Sequence, residues 1–172
     1  MMIMAGHNND FAIAAEVTEI IDNWILGRFR FVLHGRTCGN WNDEAALNAC
    51  HGWLKDFSMN SRARFEPELL TLPDVEVFER LVKPVLAQYD DEKVPELYSD
   101  TLGRFHISHL GMSSFDAVTM VLIEGEDQQR CVWQVGNAPV TSDLFPLNHM
   151  QNVAREFCDL MEKEVSAIGH VL

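Results

Sequence analysis

The chain has 172 residues, of which 47% are hydrophobic and 23% charged, the balance of a globular protein rather than a disordered one. A chain of this length hides roughly two-thirds of the surface its unfolded form exposes, so it needs neither a metal nor a disulfide framework to fold. Lys plus Arg is 13 and Asp plus Glu is 26, a net charge of −13. That excludes an ordinary nucleic-acid binder, whose phosphate contacts need clustered cations, and points to a basic partner.

No apolar run approaches the roughly 20 residues of a membrane span. The opening MMIMAGHNND has no positive region and no long apolar core, so no secretory signal is expected. Cys38, Cys50, Cys131 and Cys158 are far apart and form no C-x-x-C pair. They are expected as reduced thiols of a cytoplasmic protein. No Gly/Ser linker and no repeat divides the chain, which reads as one domain over 1–172.

FAIAAEV (11–17) alternates Phe11, Ile13, Ala15 and Val17 on one side, a short strand. Asp22-Asn23-Trp24 turns the chain. Gly27 then opens a strand over 27–35, with Phe29, Phe31 and Leu33 on one face and Arg28, Arg30, Val32 and His34 on a half-wet one. Gly35 starts a tight turn, and Thr37-Cys38 returns. Residues 43–57 change to helical period, with Ala46, Leu47, Cys50, Trp53, Leu54 and Phe57 as the stripe and Asn42 as the N-cap. Gly52 costs this helix about 1 kcal/mol against Ala, which suggests the close approach of another element.

Residues 58–73 are polar and irregular. Thr71-Leu-Pro-Asp74 resembles a capping box for a helix over 74–88, with Val75, Phe78, Leu81, Val82, Val85 and Leu86 as its stripe. Pro84 kinks or splits it. FDAVTMVLIEG (115–125) is a central strand and RCVWQV (130–135) its antiparallel partner across a polar turn. A last helix covers 148–169, capped by Asn148, with Met150, Val153, Ala154, Phe157, Leu160, Met161, Val165 and Ile168 as its stripe. Together these predict an α+β fold, a mainly antiparallel sheet with helices packed on one face.

Catalytic and metal chemistry find little support. His34, Cys38, Cys50 and His51 have neither zinc-finger nor H-E-x-x-H spacing. His106 and His109 fall on opposite faces if their segment is a strand. Ser113-Ser114 lack a nucleophile elbow, and Cys38 has no oriented base. No nucleotide-binding glycine pattern occurs, so no cofactor is expected. Trp53 and Trp133 read as core, and Trp24 and Trp41 as core rim, with a binding hot spot as the alternative for either. The densest exposed-looking carboxylates are Asp90-Asp91-Glu92 and the group Glu124, Glu126 and Asp127. Both are candidate docking patches for a basic protein.

The run FAIAAEV, then Trp24, then GRFRFVLHGRTCGN (27–40) and the helix LNACHGWLKDF (47–57) resembles immunity-protein family 42 of bacterial polymorphic toxin systems. The later pair FDAVTMVLIEG and RCVWQV is similar to that family's late hairpin, with the Arg130 to Trp133 step as its clearest mark. The acidic last helix completes the pattern. His7-Asn8-Asn9 departs from it, standing where a Gly-Asp-Pro-like approach is expected. The resemblance implies a non-enzymatic antidote that binds a cognate toxin domain and blocks it sterically and electrostatically. It supplies no toxin-contact residues. Two alternatives stand beside it. One is a small hydrolase or transferase using His34, His106 or His109 with a carboxylate, which requires an oriented histidine in a pocket. The other is a homo-oligomerising adaptor, which requires a large apolar patch.

Overall fold

The computed structural model describes residues 1–85, 102–108, 110 and 112–172. The chain groups into two compact units, each assembled from separated segments. The first comprises Met1–Ser61, Leu110–Ala117 and His149–Leu172, and the second Arg62–His109 and Val118–Asn148.

The first unit is an antiparallel sheet of β1 (Met2–Gly6), β2 (Phe11–Ile21), β3 (Trp24–Leu33), β4 (Arg36–Cys38) and the two-residue β5 (Ala45–Ala46). The order is β1-β2-β3-β4, with β5 also on β3. The β3–β4 turn is His34-Gly35, with φ of 44° and 78°, the two left-handed positions that a type I′ hairpin requires. The helices α1 (Leu47–Met59) and α3 (His149–Ala167) pack on the sheet and on each other. They cover the face bearing Phe29. Phe29 meets Phe157 of α3 edge-on at 5.9 Å, and Phe31 meets Phe11 and Phe115 at 5.6 and 5.2 Å. Gly27 of β3 sits under α1, where a Cβ would stand 2.8 Å from Leu47 Cδ1 and 2.0 Å from the Glu16 carbonyl oxygen. Any side chain there would push the helix off the sheet.

The second unit holds the antiparallel sheet β6 (Val118–Glu124), β7 (Gln128–Val135) and β8 (Thr141–Pro146), in that order. A 3₁₀ turn (Pro67–Thr71) and α2 (Asp74–Leu81) pack on one face. Leu69, Val77, Leu81, Val82 and Phe105 meet Val121, Ile123 and Val132 there. The free edge of β6 is capped by irregular chain. Ile107 N donates to Met120 O, Leu122 N to Phe105 O, and Glu124 N to Arg64 O at 2.8–3.0 Å. The edge that would invite another strand is thereby closed.

The α+β class and its antiparallel pairing stand, with two sheets in place of one. Several local readings shift. β1 and β8 add strands that the sequence reading lacked. Residues 43–46 are not helical, because Ala45 and Ala46 pair with Gly27 and Leu26. α1 therefore begins at Leu47, with no side-chain cap from Asn42. Thr71 ends the 3₁₀ turn rather than capping α2, its hydroxyl bonding the Glu68 carbonyl, while Asp74 takes the first helical position. Val75 is then exposed and Val77 takes its place in the core. Asn148 has φ of 63° and its side-chain oxygen accepts no hydrogen bond, so it does not cap α3. Gly52 is exposed with open space around it, and no element approaches. Residues 86–88 of the expected helix lie outside the described residues.

Candidate functional site

The β6–β7 turn carries half of the carboxylates singled out from sequence. Gly125 N donates to Gln128 O at 2.8 Å and closes it. Arg62 braces it from outside, its Nη1 donating to Gly125 O at 2.9 Å and its Nη2 to Glu126 O at 3.3 Å. Glu126 and Asp127 project into solvent, the Glu126 side chain being 78% exposed. Glu124 does not join them. It closes β6 on the same side as Met120 and Leu122, fully buried. Its carboxylate accepts the Arg64 backbone N–H at 3.3 Å and faces the Arg64 guanidinium at 3.9 Å. Burial lowers the Arg64 pKa and Glu124 opposes that shift. This pair is internal, and the expectation of an exposed Glu124 is corrected. Asp90, Asp91 and Glu92 lie outside the described residues.

The groups weighed for catalysis are occupied structurally. His34 is exposed, with Nδ1 2.9 Å from the Asn9 carbonyl oxygen. His106 is buried, with Nε2 3.0 Å from the Leu81 carbonyl oxygen. His109 lies outside the described residues. Cys50 and Cys158 are buried, and burial pushes both thiols up to about 12, far from a nucleophilic thiolate. His51 faces a carboxylate from a core position. Its Nε2 is 3.1 Å from Glu162 Oε1, which also accepts from Lys55 Nζ at 2.9 Å. These three residues tie α1 to α3. Among the described residues no cluster of His, Cys, Asp and Glu could hold a metal ion.

Charge is distributed in a consistent way. Arg28, Lys55, Arg62, Arg64, Arg80, Lys83, Arg104 and Arg130 each face a carboxylate of the chain itself. Arg155 donates to the Ser58 carbonyl, and Arg30 lies over the Trp41 ring at 4.4 Å. The cations are thus largely spent internally. Among the described residues, Glu19, Asp22, Glu44, Asp56, Asp116, Asp127 and Glu156 are exposed and form no ion pair with a described cation. Pairing leaves the net charge of −13 unchanged, but it concentrates the uncompensated charge in exposed carboxylates.

One exposed feature departs from the core-rim expectation. Trp24 is 59% exposed and Ile21 46%. They are direct cross-strand partners at the end of the β2–β3 hairpin, on the face opposite the helices. Parity held the signal, since Trp24 shares its face with Arg28 and Arg30 rather than with Phe29.

A family model described as Immunity protein 42 matches residues 1–160. The chain belongs to the immunity protein 42 family. Members of this family are binders, not enzymes, and this immunity protein binds and neutralises a cognate toxin domain. The crystal structure of CdiI from Burkholderia dolosa AUO158 is similar, with a TM-score of 0.71 and 14% sequence identity over 90% of this chain and 97% of that one. At that identity the likeness is one of fold. A comparison with curated proteins gave no match. The Arg130 to Trp133 step has a structural meaning in this immunity protein. Arg130 gathers the carbonyls of Leu69, Leu70 and Leu72, and Trp133 Nε1 donates to Asp143 Oδ2 at 2.8 Å. No helix among the described residues is long and apolar enough to cross a membrane.

Proposed function

We propose that this immunity protein acts in the cytoplasm on a basic toxin domain, blocking it sterically and by charge. The observation that carries the reading is the pairing pattern. Most of the described cations pair with carboxylates of the chain itself, while several exposed carboxylates form no ion pair with a described cation. A surface of that kind draws in an oppositely charged partner and raises its association rate, most strongly at low salt. The turn with Glu126 and Asp127 is a candidate contact, braced by Arg62 and so presented at little entropic cost. Asp90, Asp91 and Glu92 form the second candidate patch. The family match extends through segments of both compact units, which supports reading 1–172 as one functional domain.

The test uses the toxin domain encoded beside this protein and stopped-flow association at several salt concentrations. Charge reversal of Glu126 and Asp127, with Glu124 left intact because it is buried, should slow association several-fold at low salt and flatten its salt dependence. Reversal of Asp90, Asp91 and Glu92 tests the other patch. Association of both variants at the parental rate in low salt refutes the electrostatic reading.

A further inference from the structure

We infer that the tip of the β2–β3 hairpin is the apolar anchor of the toxin interface, with Trp24 and Ile21 inserting into an apolar depression of the toxin that is rimmed by Lys or Arg. This rests on the proposed function and names a surface for it. A large indole and an isoleucine, paired across two strands and both about half exposed, form a small contiguous apolar patch with charged neighbours, the composition of a binding anchor with its rim. Tryptophan is also the residue type most enriched among binding hot spots.

The tip is held rather than loose. Asn48 of α1 clamps it twice, its Oδ1 accepting from Ile25 N at 2.6 Å and its Nδ2 donating to Asn23 O at 3.0 Å. A register shift between Val17 and Glu19 re-aims the end of β2, and Thr18 Oγ1 donates to Leu26 O at 3.3 Å beside it. Such an anchor loses little freedom on binding. The chemistry of the rim follows from charge. Glu19 and Asp22 flank the pair, are exposed and form no ion pair with a described cation, whereas Arg28, farther along β3, is paired with Glu16 at 3.3 Å. On the other side of the tip, Ile20, Asp22, Asn23, Ile25, Gly169 and His170 border a hollow of about 220 Å³. A partner's basic side chain can reach Asp22 there while the indole is covered from the opposite side.

The test separates dissociation from encounter, because a central apolar anchor governs off-rates and rim charges govern on-rates. Trp24→Ala should melt like the parent and release the toxin domain faster by about 30-fold, the scale of a hot-spot truncation. Its association at low salt should stay within about twofold of the parent. Ile21→Ala should shift dissociation the same way by a smaller factor. Met59→Ala removes an equally exposed side chain elsewhere and should leave the kinetics unchanged. If Trp24→Ala melts lower than the parent, hydrogen exchange on the unaltered complex reads the same point. Protection of amides 19–26 on toxin addition supports the anchor, and unchanged exchange there overturns it. Parental dissociation rates for Trp24→Ala and Ile21→Ala also overturn it, while a slowed association of the Glu126 and Asp127 reversal would leave the electrostatic reading standing. Self-association that Trp24→Ala abolishes, with toxin release unchanged, overturns it in favour of a contact between copies.

Discussion

Replacing Arg130 by Met should unfold the second unit more readily than any change on its surface. The guanidinium is buried on β7 and acts as the hub of one local network. Its Nη1 donates to the carbonyls of Leu69, Leu70 and Leu72 at 3.3, 2.9 and 2.7 Å, its Nε donates to Ser142 Oγ at 3.2 Å, and its Nη2 pairs with Asp74. Ser142 in turn donates to the same Asp74 oxygen at 2.7 Å. Methionine keeps the stem's packing but leaves three carbonyls without this donor and the Asp74 carboxylate without its cation, with only the Ser142 hydroxyl still donating to it. Breaking one side of a buried pair costs about 3–5 kcal/mol. The Asp74 side chain is 33% exposed, so water recovers part of its loss and places the expected cost near the lower bound, about 3 kcal/mol. Urea denaturation followed by circular dichroism measures it through the midpoint at constant slope. Asp74→Asn, which keeps an acceptor, should cost clearly less. A loss under about 1 kcal/mol for Arg130→Met would show that the network is ornamental and that the three carbonyls find other donors.

Two further outcomes follow from single residues. Gly52→Ala should stabilise α1 by about 1 kcal/mol, since nothing lies within 4 Å of the new Cβ, and should raise the melting temperature by roughly 2–4 °C; a lower melting temperature contradicts the open site. Stability should also fall on acidification. Burial lowers the His51 pKa below its ordinary 6.5, outweighing the attraction of Glu162, and the Lys55 hydrogen bond lowers Glu162 below 4.5. In both cases the unfolded chain binds the proton more readily. The contribution of His51 is therefore complete above pH 6.5 and declines below it, and that of Glu162 declines as pH falls below 4.5. His51→Gln should flatten the urea-midpoint profile just below pH 6.5, and an unaltered profile there would assign the acid sensitivity elsewhere.

The sheet strands with strong alternation were legible because Phe29, Phe31 and Leu33 each mark the same face without interruption. The late hairpin was legible for a different reason, its centre being an uninterrupted apolar run. The helix stripes of α1 and α3 held at Leu47, Cys50, Leu54, Phe157 and Met161, since the 3.6-residue period does not depend on where a helix starts. Starts were less legible. Ala45 and Ala46 are good helix formers that a tertiary contact draws into pairing with β3. Thr71 and Asp74 have capping-box spacing, yet Pro73 intervenes and Arg130, 56 residues away, claims the carboxylate. Glu124 reads as part of an acidic turn by composition but as core by parity with Met120 and Leu122, and parity decided. Composition likewise placed Trp24 at the core rim, while its parity with Arg28 and Arg30 put it outside.

The first unit joins the two extremes of the described chain. Its sheet is complete at Ala46, but the helix that supplies Phe157 to that sheet starts only at His149, more than a hundred residues later. During synthesis at roughly 5–20 residues per second, the apolar face of β1–β4 waits on the order of ten seconds for its cover. No nascent fragment short of α3 holds the completed unit, so protection against a toxin begins only once synthesis has passed Ala167. A cell relying on this antidote needs a standing pool of finished molecules, because starting translation when the toxin arrives leaves that interval undefended.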